Sequence, residues 1–375
     1  MSATPGIHDP MEVRSPVHPL SRRPGLRSLT AGLAALALVV AACGGSTAPT
    51  ASPSATADAS ASASGAPSSP TPAASPVALT VGLGYIPSVQ FAQFYLAQQA
   101  GYYAEAGLTV TLRNKIDPDL ITLLGQGAVD IGSGDGTSVI PAVSQGIPVV
   151  YTSTIYGQFP SIVLAKAGSG IASAADLKGK RIGIPGKYGS SWIMLQALLK
   201  SAGLTPDDVQ IVPFPDFGQA TALQQGAVDA ATGFANNEPI VLKQAGLDTV
   251  VLTVDDITPL PGPGLVTGTA TLAAKHDALK AFTAATLRAM NEIAADPQKG
   301  LDATFALVPT LAKDPALERQ ILDATIATWK NTRTNAPYGS IDRAGWQQSL
   351  DFMSSLGVVP NPVTVDQLVN DTLLP

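Results

Sequence analysis

Cysteine is almost missing from this chain of 375 residues: Cys43 is the only one. A disulfide framework and a zinc centre built from several thiolates are therefore excluded. Histidine is nearly as scarce. Two of the three, His8 and His18, precede residue 20, so His276 stands alone in the rest of the chain and no histidine-based metal centre can be assembled. Only 5% of residues are aromatic and 13% charged, and the formal net charge of −6 speaks against general nucleic-acid binding, which needs a basic footprint. What the chain does have is length and apolar content. At 375 residues it exceeds the roughly 250–300 at which single cores stop growing, and a hydrophobic fraction of 45% can fill one large or two medium domains.

The start of the chain reads as an export signal. Arg22, Arg23 and Arg27 precede the short apolar run Leu29–Ala42, which ends in Val40-Ala41-Ala42-Cys43-Gly44. Such a run is short for a membrane span and fits a signal peptide over residues 1–42. The placement of Cys43 resembles a bacterial lipobox, which implies lipidation of that cysteine; an ordinary signal peptide or an anchor helix is the alternative. Cleavage before Cys43 leaves 18 basic and 26 acidic side chains, a net charge of −8. Residues 44–77 are almost entirely Ser, Ala, Thr, Pro and Gly, too poor in apolar side chains to offset chain entropy, so residues 43–78 are expected to be a lipidated tether.

Beyond the tether, strands and helices alternate. The pattern predicts strands at Leu79–Leu83, Leu108–Leu112, Ala128–Gly132 and Pro148–Ser153, with helices after Ser88, from Asp117 and over Ser138–Gln145. The order then recurs, with strands at Arg181–Ile184, Val209–Val212 and Ala227–Thr232 and helices at Ser190–Ala202, Gly218–Gln225 and Pro239–Ala245. The letters recur as well: Leu124, Gln126, Gly127, Ala128, Val129 and Asp130 return 99 positions later as Leu223, Gln225, Gly226, Ala227, Val228 and Asp229. Two related α/β halves with mostly parallel sheets follow. Asp130 and Asp229 are expected to be structural in both. From Asp277 onward only helices are expected, at Asp277–Ala295, Pro297–Leu307, Pro315–Asn331, Arg343–Leu356 and Val365–Asn370. These helices would pack on one half and brace the crossings near Tyr156–Leu164 and Leu265–Ala270.

Several short stretches carry a family resemblance. Gly84-Tyr85-Ile86-Pro87, Phe91-Ala92-Gln93-Phe94-Tyr95, Glu105-Ala106-Gly107-Leu108, Gly127-Ala128-Val129-Asp130 and Asp176-Leu177-Lys178-Gly179-Lys180-Arg181-Ile182-Gly183 resemble the sulfonate-, thiamine-pyrimidine- and riboflavin-binding proteins of ABC importers. The first loop and Gly233-Phe234-Ala235-Asn236-Asn237-Glu238-Pro239 are most similar to the riboflavin-binding branch. The resemblance covers about residues 79–260. It implies a two-lobed, type II periplasmic-binding-protein-like α/β fold with two mixed, mostly parallel sheets, a hinge and C-terminal helices. One lobe would comprise residues 79–157 and 268–375, the other 158–267. It further implies an extracytoplasmic, lipid-anchored monomer that takes no cofactor, metal or nucleic acid and hands a small ligand to a permease and its ATPase.

Ligands of parallel α/β units sit beyond the carboxyl ends of the strands, so the strand-to-helix loops are the candidate lining. An aromatic-poor chain has placed nearly half of its rings in those loops and the crossings. Tyr85 and Phe91 lie in the first, Tyr156 at the crossing, Tyr188 and Trp192 after the fifth expected strand, and Phe217 before the next helix. Gln90, Asp135, Ser190, Asn236, Asn237 and Glu238 supply polar groups in the same places. Rings suit a flat heterocycle, and two acids with only Lys187 nearby disfavour a sulfonate or phosphate. Riboflavin is the best fit, with a thiamine pyrimidine precursor or an alkane sulfonate such as taurine as alternatives. The same fold also hosts a pyrimidine-synthesising enzyme branch that uses an active-site histidine and a cysteine-rich segment, neither of which has a counterpart here. Each candidate also has a plainer use: Trp192 can pack into its own half, Asp135 can serve a turn, and Asn237 or Glu238 can cap the helix that Pro239 opens. Phe94, Tyr95, Tyr102, Trp329 and Trp346 are expected in the core, and His276 at a solvated helix start.

Overall fold

The computed structural model describes residues 75–114, 117–255 and 257–375. The expected signal peptide, Cys43 and most of the tether lie outside the described residues. No helix among the described residues is long and apolar enough to cross a membrane.

Strand β1 (Val77–Leu83) pairs in parallel with β2 (Leu108–Asn114) on one side and with β3 (Ile131–Asp135) on the other. Strand β4 (Val149–Thr154) joins only through a late strand, β10 (Pro263–Gly268), which runs antiparallel between β3 and β4. The second sheet repeats this plan. Strand β6 (Arg181–Ile184) pairs in parallel with β7 (Gln210–Pro213) and β8 (Ala230–Phe234), while β5 (Ser161–Lys166) runs antiparallel between β8 and β9 (Thr249–Leu252). The orders β2-β1-β3-β10-β4 and β7-β6-β8-β5-β9 are thus one arrangement used twice. In each, the antiparallel strand arrives across from the other sheet, through residues 155–160 or 253–262.

The repeated aspartates explain the common register. Asp130 accepts the Thr80 N–H on Oδ2 at 2.8 Å and donates its own N–H to the Thr80 carbonyl at 2.9 Å. Asp229 does the same with Arg181, at 2.9 Å in both directions. Each is also ion-paired at 2.7 Å, Asp130 with Lys275 and Asp229 with Arg181. These tethers start β3 and β8 three residues later than the apolar letters predict. The strand stretch itself is poor in side chains, Ile131-Gly132-Ser133-Gly134-Asp135, because a Cβ on Gly132 would stand 2.9 Å from the Gly82 carbonyl oxygen. Strand β9 is not among the expected strands; its four residues follow the turn at Gly246.

The helices are α1 (Ala92–Gln99), α2 (Tyr102–Glu105), α3 (Asp117–Gly125), α4 (Gly136–Ser144), α5 (Gly189–Ser201), α6 (Gln219–Gln225) and α7 (Glu238–Gln244). After β10 come α8 (Thr269–Ala295), α9 (Pro297–Leu307), α10 (Pro315–Trp329), α11 (Arg343–Ser355) and α12 (Val365–Leu368). The span of α8 begins at Thr269 but is broken at Lys275, whose backbone is non-helical, so two helices meet there. His276 stands at the start of the second, as expected, with its partly exposed ring within 3.2 Å of Asp277 and Thr372. Phe94, Phe282 and Tyr103 stack between α1, α8 and α2, with centroids 6.3 and 4.9 Å apart. Tyr95, Tyr102, Trp329 and Trp346 are buried as expected. A second apolar cluster runs from Val139 and Tyr151 in the first half to Ile182 and Met194 in the second, so the halves share a core.

Helix α10 offers a test of electrostatics. Asp314 caps it by accepting the Leu317 N–H at 3.0 Å, and Glu318 is buried one turn in. Burial first, and the Asp314 charge second, push the Glu318 carboxyl up to about 7. Between pH about 4.5 and 7 the folded chain therefore keeps a proton that the unfolded chain has lost, so stability falls as pH rises through this window. Glu318→Gln is expected to leave stability at pH 4 unchanged and to raise it by about 1–2 kcal/mol at pH 8. Urea denaturation of both proteins from pH 4 to 8 checks this, and an equal pH slope in the two would refute the assignment.

Candidate ligand cleft

Each wall of the cleft comes from the carboxyl end of a parallel strand. Gly84 and Tyr85 follow β1, Asp135 ends β3, Pro185 and Tyr188 follow β6, Phe217 lies between β7 and α6, and Phe234 ends β8. Tyr156 and Pro263 add the crossings. The cavity holds about 110 Å³ for the centre of a water molecule.

Local sequence explains the placement. The Ser88 hydroxyl accepts the Gln90 N–H at 3.2 Å, which starts a 3-10 turn over Val89–Phe91 and sets Gln90 and Phe91 against the cleft. Gly84 is needed because a Cβ there would lie 2.5 Å from the Ser133 carbonyl oxygen. Phe217 holds a left-handed backbone at φ 61°, a strained state for a side chain of this size, and Asp216 steadies the turn by accepting the Gly218 N–H at 3.2 Å.

Three contacts join the halves around the cavity. The Tyr85 and Phe217 rings meet edge to face, with centroids 4.8 Å apart. Asp135, ending β3, accepts the Ser190 N–H of α5 on Oδ2 at 3.2 Å. Asn236, just after β8, donates from Nδ2 to Gln90 Oε1 at 3.0 Å and to Thr325 Oγ1 of α10 at 2.8 Å, with the Tyr156 hydroxyl at 3.4 Å.

Among the described residues that line the cleft there is no Lys, Arg, His or Cys, whereas there are two carboxyls. Burial raises the Asp135 carboxyl, opposed by the hydrogen bonds of Ser190. Burial raises Glu238 as well, opposed chiefly by the Phe234 N–H, which it accepts on Oε2 at 2.7 Å. The Tyr85 phenol is pushed up by burial and then by the Glu238 charge, which faces it from the other half. Chemically this arrangement can clamp a ring and accept hydrogen bonds from a ligand that carries donors.

Of the expected site residues, Tyr85, Gln90, Phe91, Asp135, Tyr156, Tyr188, Ser190, Phe217, Asn237 and Glu238 line one cavity. Two do not. Trp192 packs half-buried against the shared core, with the Lys187 ammonium 5.6 Å from its ring centroid, because the first turn of α5 gives the cleft to Ser190 and Ser191 instead. Asn236 is fully buried beneath the cleft, drawn there by the polar groups of Gln90 and Thr325. Gln219 and Pro263 line the cavity without having been expected. Gln219 stands two residues beyond the loop that ends at Phe217, inside a helix, and Pro263 opens a strand that sequence reading treats as a connector.

The cleft can now be set beside known proteins. Residues 88–300, more than half of the chain, match the family described as NMT1/THI5 like. The chain belongs to the NMT1/THI5-like family. This NMT1/THI5-like chain is 32% identical over 303 residues to the riboflavin-binding protein RibY of Chloroflexus aurantiacus, a match spanning 79% of this chain and 86% of that one. It is 24% identical over 303 residues to the 4-amino-5-hydroxymethyl-2-methylpyrimidine phosphate synthase of Legionella pneumophila, spanning 79% and 92%. Among solved structures, the periplasmic aliphatic sulphonate binding protein SsuA from Escherichia coli superposes with a TM-score of 0.62 at 20% identity, over 79% of this chain and 98% of that one. The NMT1/THI5-like chain thus has the periplasmic-binding-protein-like fold, with two mixed sheets and added helices.

Proposed function

We propose that this protein is the extracytoplasmic solute-binding component of an ABC importer and that its ligand is riboflavin, held without chemical change. One observation carries the reading: among the described residues, the cleft between the two sheets is walled by rings, contains two carboxyls and has no cationic side chain. Such a wall favours an uncharged planar ring bearing hydroxyls and disfavours a sulfonate, which would call for Arg or Lys. The 32% identity to a riboflavin-binding protein supports the same choice. Among the described residues, a synthase reading finds no histidine or cysteine lining the cleft to do chemistry. The runner-up, a thiamine pyrimidine precursor, is favoured by the direct edge-to-face contact of Tyr85 and Phe217, which a smaller ring needs to part less.

In this reading, lobes of residues 79–157 with 268–375 and of residues 158–267 close on the ligand, and a lipid on Cys43 holds the protein at the outer face of the membrane beside its permease. The purified protein is expected to quench riboflavin fluorescence saturably at one flavin per chain. Binding of a pyrimidine precursor or an alkane sulfonate in place of riboflavin would overturn the ligand assignment. Cys43→Ser is expected to release the protein from membranes; retention on them would show an anchor helix instead.

A further inference from the structure

Gln219 has a feature that the rest of the cleft wall lacks. It opens α6 two residues after Phe217, lines the cavity and is 2% exposed. Its Nε2 donates to the Thr232 carbonyl at 3.2 Å, while Oε1 is buried with no hydrogen-bond partner among the described residues. Turning the amide over would set Oε1 against the Thr232 carbonyl, acceptor on acceptor, so the main chain of β8 fixes which atom is left free. The side chain also has little room to move. A Cβ on Gly183 would stand 3.0 Å from the Gln219 Cβ, which places Gln219 hard against β6.

The two carboxyls of the cleft already take backbone donors, Asp135 from Ser190 and Glu238 from Phe234. A desolvated carbonyl oxygen without a donor is unfavourable until something supplies one. Phe217 and Gln219, two residues apart, both line the cavity, so a ring bound against Phe217 shares that cavity with the Gln219 amide.

We infer that Gln219 Oε1 accepts a hydrogen bond from a ring N–H of the ligand, so that the cleft selects planar heterocycles with a lactam or imide N–H on the edge. This deepens the flavin reading and rests on it for the choice of probe. A flavin has one such group, the imide N–H at N3, and methylating it leaves the ring system otherwise unchanged.

Lumiflavin and 3-methyllumiflavin, each titrated by fluorescence into the full chain and its variants, form the test. Wild type is expected to bind lumiflavin about 10-fold more tightly than the methylated flavin. Gln219→Leu should lose that margin by weakening lumiflavin binding while leaving the methylated flavin bound as before. Gln219→Met, unbranched like glutamine, serves if the leucine variant does not fold. A margin that survives in either variant, or equal binding of the two flavins by wild type, would overturn the inference and leave the flavin reading standing. An equal loss for both flavins would assign Gln219 to structure and overturn it too. Failure of wild type to bind any flavin would overturn both.

Discussion

Removing the two facing rings, by Tyr85→Ala together with Phe217→Ala, is expected to weaken riboflavin binding by about 100-fold, since each ring stacked on a planar heterocycle contributes roughly 1–3 kcal/mol. The expectation follows from geometry. The rings belong to different sheets, one after β1 and one before α6, and meet at 4.8 Å with planes at 84°. A ligand ring entering the cleft exchanges that edge contact for two faces. Phe217 adds a second, sharper measurement. Its φ of 61° is a conformation that glycine adopts freely and phenylalanine does not. Phe217→Gly should therefore bind flavin as poorly as Phe217→Ala and yet be about 1 kcal/mol more stable in urea than that alanine variant. Strain held at a position that lines the cleft is expected of a residue kept for binding. If the double alanine variant binds riboflavin as wild type does, the rings are packing and the cleft is not the flavin site.

How much of this could be read from the letters depends on which force fixed each element. The duplication was legible because Gly-Ala-Val-Asp recurs and each Asp makes the same two main-chain bonds, to Thr80 or to Arg181. The strand edges were not legible, because β3 and β8 are set by those tethers and by glycine contacts instead of by apolar runs. Strand β10 was seen only as a crossing. Its place between β3 and β4 comes from pairing with residues more than 100 positions away. The cleft was legible as a set of loops, since loops after parallel strands converge whatever their detail. The direction of a side chain within a loop or first helical turn was not. Trp192 and Ser191 are neighbours on α5 and only Ser191 reaches the cavity, while Asn236 turns inward and Asn237 outward from one dipeptide. Those choices depend on partners such as Thr325, which no local pattern announces.

Gly157→Ala is expected to cost about 3 kcal/mol of stability, far more than an alanine at an ordinary glycine. Gly157 lies on the first crossing, between β4 and β5. A Cβ there would stand 2.3 Å from the Asn331 nitrogen and 2.6 Å from the Lys330 carbonyl carbon, so the obstacle is main chain and cannot rotate away. The crossing is hooked to the end of α10 on the same stretch: the Gln158 N–H donates to the Thr328 carbonyl at 3.0 Å, and Gln158 Nε2 to the Ala327 carbonyl at 2.8 Å. Displacing it would also disturb Tyr156, whose hydroxyl shares the buried cluster of Gln90 and Asn236 at the floor of the cleft. Gly170→Ala is the proper comparison. That glycine has φ 81° and open space around its missing Cβ, so its cost should be the backbone penalty alone, about 1 kcal/mol. Urea midpoints of the two variants separate the effects. Equal costs would mean that the crossing and α10 do not meet as closely as the structure has them, and the bracing role of the C-terminal helices would fall with that contact.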